Sequence, residues 1–398
     1  MTRSRTRSAI VALAVTALAA LAACGGSSDS TSAGSSPAAA KETGPVRIGA
    51  VLGISGRFAF VGGPQQQALM LAQDQINDKG GIGGRKVEFT IYDDEVDETK
   101  TVPLANRLIS EDKVVAIIGP SITVPALALQ PVVERAEIPT ITLTSKAIWE
   151  QGKAEYIFQT TPREEIEVKS VLSFIQDELK KTKVAVIYDR QPYGTGNLAF
   201  IKKFASDYGI DIVAEEAIGN DETNADAQVS KVKASGADAV IMWVGDPAAS
   251  SVVKAIQQAG VTIPVIGSSA IAGPRFPGLA GPAGQDVYSD ATLDYSNPPE
   301  NQKAFLGEFQ KRFDSPPTQF AAFAYDAAFV LKAAIEKAGS TDGKAIAQGL
   351  IDMDPYKGIV ATYDFTDDNH NGVPNEPLFY IVQVKDGRFQ VVYDTRKK

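Results

Sequence analysis

The sequence predicts an α/β protein made of two doubly wound parallel-sheet lobes. Three observations predict it. Apolar, β-branched runs alternate with longer amphipathic stretches along about 350 residues. The runs fall into two successive series of four. Small hydroxyls, glycines and helix starts recur where the runs end. Strand–helix alternation of this kind gives parallel sheets with helices on both faces.

The first series is "VRIGAVLG" (46–53), "VEFTIYD" (87–93), "VVAIIG" (114–119) and "IPTITLT" (138–144). After its first strand comes "PQQQALMLAQDQINDKGG", in which Ala68, Leu69, Ala72 and Ile76 share one helical face. Pro64 suits the first turn of that helix and Gly80 its stop. The second series is "KVAVIYD" (183–189), "DIVAEEAI" (211–218), "AVIMWVG" (239–245) and "TIPVIGS" (262–268). The C-terminal "LFYIVQVKDGRFQVVYD" reads as a β-hairpin appended to a sheet. Eight countable strands also fit a (β/α)₈ barrel, but "DIVAEEAI" is polar for a barrel stave, and two sets of four favour two similar lobes.

Ligands of open parallel sheets bind beyond the carboxyl ends of the strands. Here those ends read "GISGRFAFVGG", "GPSITVPA" and "TSKAIW" in the first series, then "DRQPYGTG", "GDPAAS" and "GSSAIAG" in the second. Backbone N–H groups and hydroxyls at helix starts suit an anionic group, typically a carboxylate. Six such turns on two lobes predict a ligand cleft between them.

The first residues read as an export signal. Arg3, Arg5 and Arg7 precede the apolar run from Ala9 to Ala22, which is short for a bilayer span. Leu21-Ala22-Ala23-Cys24 resembles the lipobox of bacterial lipoproteins, which implies a diacylglyceryl thioether on the Cys24 sulfur. The following "GGSSDSTSAGSSPAAAKETG" has too few large apolar groups to fold, so it is expected to act as a tether of roughly 25 Å. Cys24 is the only cysteine, so no intrachain disulfide supports the body. Net charge is −9 with no basic run outside the signal, which argues against a nucleic-acid partner.

Catalytic and metal chemistry find little support. His370 is the only histidine and sits in the polar "DDNHNGVPNEP", which argues against a zinc HExxH site and a Ser-His-Asp triad. Read from Asp367, that loop fits D-x-N-x-N-G, the first half of a calcium loop, with Asp367, Asn369 and Asn371 as ligands. The twelfth position is Leu378 rather than glutamate, with Glu376 close by, and a solvated turn is the preferred reading. Asp93-Asp94-Glu95 could suggest a glycosidase pair but reads better as a surface turn. "GGIGGR" follows a helix instead of opening one, so it is no phosphate loop.

"VRIGAVLGISGRFAFVG", "QINDKGGIGGRKVEFTIYDDEVD", "VVAIIGPSITVPALALQPVVERAEIPTIT", "VAVIYDRQPYGTGN" and "FAAFAYDAAFVLKAAI" occur in that order. Together they resemble the branched-chain amino-acid binding proteins of ABC transporters, which have the type I periplasmic binding fold. The resemblance implies three crossings between lobes, expected near Thr161, Asp290 and Ala361. The expected organisation is a lipoprotein signal at 1–23 and a tether at 24–45. The first lobe is expected at 46–161 and 291–361, and the second at 162–290 and 362–398.

The resemblance also implies a pocket. Thr123, with Ser121 beside it, matches the family's Ser/Thr after the third strand. Thr144 takes the backbone-contact position after the fourth, and Lys146 stands where the family has threonine. Tyr193 matches the tyrosine that closes from the second lobe, and Phe320 an aromatic of the first. The acid that receives an ammonium group falls at Ser269, and the first-loop tyrosine at Val61. Asp246 or Glu164 could replace the acid.

The expected protein is a non-enzymatic receptor, extracytoplasmic and anchored to the membrane through Cys24. It needs no cofactor apart from the calcium considered above. It would trap a small solute by hinge closure and deliver it to an ABC permease. A lysine facing the cleft and no acid at Ser269 favour a carboxylate or amide-like solute, with a branched-chain or other aliphatic amino acid as the alternative. A sensory receptor of the same fold is a further alternative.

Overall fold

A central strand covered on both faces carries a continuous apolar run, whereas an edge strand can afford polar positions. β1 (Val46–Leu52) is buried at every residue but Arg47, while β2 (Val87–Asp93) is half-exposed. With β3 (Ala116–Ile118), β4 (Thr140–Thr142) and β5 (Ile157–Gln159) they form an all-parallel sheet in the order β2-β1-β3-β4-β5. In the second sheet, β6 (Lys183–Asp189), β7 (Asp211–Ile218), β8 (Ala239–Trp243), β9 (Val265–Gly267) and β10 (Tyr288–Ala291) take the order β7-β6-β8-β9-β10. The two sheets therefore share one topology and are open, which excludes the barrel. A short hairpin, β11 (Tyr356–Lys357) and β12 (Thr362–Tyr363), stands apart. The C-terminal hairpin, β13 (Tyr380–Lys385) and β14 (Arg388–Asp394), adds antiparallel to β10.

This is a computed structural model, and it describes residues 44–150, 154–219, 221–375 and 378–397. The signal segment, Cys24, all of the tether but Gly44 and Pro45, and Glu376 lie outside them. No helix among the described residues is long and apolar enough to cross a membrane.

The helices are α1 (Ala59–Asp78), α2 (Glu98–Ser110), α3 (Thr123–Ala136), α4 (Glu164–Phe174), α5 (Pro192–Phe204) and α6 (Asp226–Ala234). They continue with α7 (Ala248–Gln258), α8 (Arg275–Ala280), α9 (Glu300–Phe313), α10 (Gln319–Ala338) and α11 (Gly343–Asp352). Ala68, Leu69, Ala72 and Ile76 of α1 are fully buried in one core with alanines 321, 324, 327 and 328 of α10. Small side chains on α10 let the two helices approach closely. Each fully buried Leu, Ile or Phe contributes roughly 1.5–3 kcal/mol by leaving water.

The sequence put Pro64 in the first turn of α1, but the helix begins at Ala59 and contains Pro64. Pro64 supplies no N–H for the Phe60 carbonyl, so the early turn depends on packing. Gly62 provides it: a β-carbon there would lie 2.1 Å from the Gly53 carbonyl oxygen at the end of β1.

Neighbouring residues in different cores mark the crossings. Phe158 and Ile166 pack with the first sheet, and Val168 with the second. Ala291 belongs to the second sheet's core and Leu293 to the first. Tyr363, Phe365, Val373, Leu378 and Phe379 still pack in the first core, whereas Tyr380 packs in the second. The third crossing thus lies at 379–380, later than the Ala361 expected. Large apolar residues spaced across a polar loop keep that segment with the first lobe, and the Phe365 ring meets Phe158 edge-on at 5.7 Å.

Candidate functional site

In a sheet ordered 2-1-3-4-5 the strand order reverses between the first and third strands, and a crevice opens beyond their carboxyl ends. Both sheets do this. The loops leaving β1 and β3, and those leaving β6 and β8, line one cavity of about 670 Å³, within the roughly 300–1,000 Å³ usual for small-molecule sites.

One end of the cavity is built to receive an anion. Ile122 precedes α3 in extended conformation with no side-chain cap, and Pro125 has no N–H to satisfy. The Thr123 and Val124 amides, the first of the helix, belong to residues lining the cavity. Thr123 Oγ1 and Thr144 Oγ1, both buried, lie 2.8 Å apart. One hydroxyl proton bridges them, which leaves the other free to donate to a ligand. Behind them Ser121 Oγ donates to Gln65 Oε1 (2.5 Å) and accepts the Gly53 N–H (3.2 Å), tying α1, β1 and the β3 loop together.

The opposite wall is acidic. Glu167 of α4 is 4% exposed and lines the cavity. Its Oε1 accepts the Ser269 N–H at 3.0 Å, and Ser269 O accepts from Gln319 Nε2 at 2.8 Å. Asp290 of β10 stands against Glu167, fully buried, with neither carboxyl oxygen meeting a hydrogen-bond donor. Burial first, then repulsion from Glu167, pushes Asp290 well above the usual carboxylate range, and burial also raises Glu167. Tyr193, near the start of α5, lines the same wall; burial and then these acids raise its phenol, so it stays protonated. Asp246 also lines the cavity, raised by burial, with Oδ1 accepting from Ser250 Oγ at 2.7 Å. Asp189 lines it too, and its Oδ1 accepts the Gln191 N–H at 2.7 Å. Glu98 and Asp221 lie at the exposed rim, and Arg275 is the one cationic side chain among the described lining residues.

Apolar walls join these ends: Val61, Leu143, Phe320, Phe323 and Phe379. The Phe60 ring lies edge-on to Phe320 at 6.2 Å, with the Arg275 guanidinium 5.3 Å from its centroid. Phe60 also reaches Gly245, since a β-carbon there would be 3.8 Å from its ring tip. An aromatic of the first lobe thus spans to the second.

Of the residues expected from sequence, Ser121, Thr123, Thr144, Tyr193, Asp246, Ser269 and Phe320 line the cavity, and Lys146 does not. Lys146 acts on Glu164, which is likewise absent from the lining. Burial pushes Glu164 up to about 7, against the opposing pull of Lys146. In the calcium-like loop of Asp367, Asn369 and Asn371, both asparagine oxygens already accept hydrogen bonds. Asn369 Oδ1 accepts from Arg163 and the Asn371 N–H, and Asn371 Oδ1 from the Val373 N–H. Among the described residues no three His, Cys, Asp or Glu converge for a metal. His370 is a packing residue, stacked on Phe158 at 4.4 Å with Nδ1 3.0 Å from the Ile157 carbonyl.

Sequence reasoning missed Glu167, Asp290, Phe60 and Arg275. Glu167 had a signal: in "REEIEVKSVL" it shares the helical face of Glu164, Val168 and Val171, an acid on a side that packs inward.

Residues 45–388 match the model of the family described as periplasmic binding protein. The leucine-, isoleucine-, valine-, threonine- and alanine-binding protein of Pseudomonas aeruginosa is 28% identical over 299 residues, covering 75% of this chain and 79% of that protein. The Leu/Ile/Val-binding protein homolog 1 of Brucella suis is 26% identical over 358 residues, covering 87% and 93%. The structure resembles that of the branched-chain amino acid transporter substrate binding protein LivJ from Streptococcus pneumoniae in complex with isoleucine. The TM-score is 0.80 at 24% identity, covering 88% of this chain and 99% of that one. The leucine binding protein LivK from Thermotoga maritima gives 0.78 at 21%, covering 89% and 100%.

Proposed function

Because the chain belongs to the periplasmic binding protein family, we propose that it is the solute-capturing component of an ABC importer and that its solute is an α-amino acid with an apolar side chain. The observation that carries the reading is the cavity's charge arrangement. A capping-free helix start with two hydroxyls stands on one side, and buried acids with no buried cation among the described residues line the other. A zwitterion answers both. Its carboxylate meets α3 and the Thr123–Thr144 pair, its ammonium meets Glu167, and its side chain lies among Val61, Phe320 and Phe323. An ammonium buried without a counter-charge would cost several kcal/mol. Glu167 supplies that charge beside Ser269, where the family's own acid is missing. The carboxylate or amide-like solute favoured by the sequence loses its main support with Lys146 outside the cavity. A dicarboxylate would face Glu167, Asp189 and Asp246 with only rim-exposed Arg275 in its favour.

The relatives' names speak for the same class of solute. Capture would proceed by closure of the lobes over the ligand, with Tyr193 and Ser269 completing a site begun by Thr123 and Thr144. Cys24 would hold the receptor beside its permease through a lipid. A Cys24→Ser variant is expected in the soluble fraction, and continued membrane association would remove the anchor from the account. Calorimetric titration with leucine, isoleucine, valine, 4-methylpentanoate and 4-methylpentanamide tests the solute class. Binding confined to the amino acids supports it, and binding confined to the acid or the amide overturns it.

A further inference from the structure

Two neighbouring carboxyl groups, one fully buried and one nearly so, do not readily both ionise without a cation between them. Glu167 comes from the start of α4, just past the first crossing between lobes, and Asp290 from the end of β10, just before the second. Glu167 Oε1 takes the Ser269 N–H, whereas both oxygens of Asp290 lack a donor among the described residues. The groups bearing on the pair are few. From α4 there is Glu164, which with the pair acts on the Tyr193 phenol of α5; from the turn after β9 there is Ser269. Among the described residues, none of the groups named as acting on either carboxyl is a lysine, arginine or histidine. A proton shared with Glu167 would satisfy Asp290 in the empty protein.

We infer that Glu167 and Asp290 form a cation-exchange site: the empty receptor holds one proton between the two carboxyls, and the ammonium group of the solute displaces it. This inference rests on the amino-acid reading above. No covalent bond other than the O–H is broken. The proton leaves to solvent, both carboxyls become anions, and the ammonium enters. The buried site carries −1 before and −1 after, so the exchange avoids leaving a doubly charged pair in the interior. The two residues flank two of the three crossings, so closing the lobes and exchanging the cation would be one event. Solutes without a cation could not take the proton's place and would meet a pair that keeps its proton and its single negative charge, a basis for rejecting the corresponding acids and amides.

The test is calorimetric titration of the full protein with L-leucine in phosphate and in Tris, whose ionisation enthalpies differ, together with infrared spectra of the empty and loaded forms. The expected result is close to one proton released per leucine at pH 7. Affinity should rise with pH between 6 and 8, by up to tenfold per unit, because binding favours the deprotonated pair. A buried protonated-carboxyl band should be present in the empty protein and disappear on loading. Asp290→Asn should abolish both the release and the pH slope, since Asn can donate to an ionised Glu167. Leucine binding with no proton release, or an empty protein with no protonated-carboxyl band at pH 7, overturns the exchange and leaves the amino-acid reading standing. Failure of leucine, isoleucine and valine to bind overturns that reading, and the exchange with it. The wild-type measurements decide the matter even if the variant does not fold.

Discussion

Replacing Gly62 by alanine sets two effects of opposite sign against each other. Gly62 lies within α1 at ordinary helical φ, so propensity alone favours alanine by about 1 kcal/mol. The new β-carbon, however, would lie 2.1 Å from the Gly53 oxygen, 2.3 Å from its carbonyl carbon and 2.9 Å from the Ile54 nitrogen. A β-carbon essentially never comes within 3.0 Å of another heavy atom, so the helix start must retreat by about 0.9 Å from the end of β1. The obstacle is backbone and cannot rotate away, which puts the cost near 3 kcal/mol, the upper end for overpacking. The net expectation is a loss of about 2 kcal/mol, or roughly 2–4 °C in Tm for a chain of this length. Gly307→Ala is the control: it sits exposed in α9 with nothing within 4 Å of a β-carbon, and should gain up to about 1 kcal/mol. Scanning calorimetry of the two variants beside the parent reads both signs. If Gly62→Ala is as stable as the parent, the close approach does not hold α1 to β1. Phe60, two residues away, would move with the helix, so solute binding should weaken in the same variant.

Thr123→Val removes a hydroxyl from the anion end while keeping the shape, and should weaken binding about 10- to 100-fold, the value of a hydrogen bond to a charged group; calorimetry showing less than a twofold change would take Thr123 out of the site. Glu164, raised to about 7, gives a stability term fully present below its unfolded value near 4.5 and lost as pH rises to about 7, roughly 3 kcal/mol in all. Urea denaturation against pH should show this slope vanish in Glu164→Gln, and NMR titration should show Glu164 move upward in Lys146→Met; a downward move would contradict their pairing. Asp326 accepts the Ile359 and Val360 N–H groups at 2.8 and 2.9 Å and the Tyr363 hydroxyl at 2.7 Å. Asp326→Asn should cost about 2–4 kcal/mol in urea denaturation, and a loss under 0.5 would deny it that anchoring role.

Both sheets were legible because their central strands are buried on two faces and so read as continuous apolar runs. β5 and β10 were not: each is short, and "YIFQTT" and "VYSDAT" interrupt their apolar character with the polar residues that begin a crossing. The third crossing was misplaced for a related reason. "TDDNHNGVP" looks like solvent-facing turn, yet Val373 within it and Phe365 and Phe379 on either side reach back into the first core. At the site, the turns after strands announced a cleft, and the family resemblance placed Thr123, Thr144 and Tyr193, which line the cavity, in it. Lys146, expected to face the cleft, is absent from the cavity lining, since a charge in a turn does not reveal which way it points. Glu167 was hidden by the opposite habit, since acids in the first turn of a helix are usually read as dipole-complementing surface residues. Only the folded chain brings it beside Ser269 and Asp290, from segments 102 and 123 residues away.

The most direct measurement of the central claim is a crystal structure of the protein with L-leucine bound. The account predicts the ligand carboxylate within hydrogen-bond distance of the α3 amides and of Thr123 or Thr144, its ammonium beside Glu167, and its side chain between Val61 and Phe320. A ligand turned end for end, or one whose ammonium is met by Asp246 with Glu167 still paired only to Ser269 and Asp290, would contradict it.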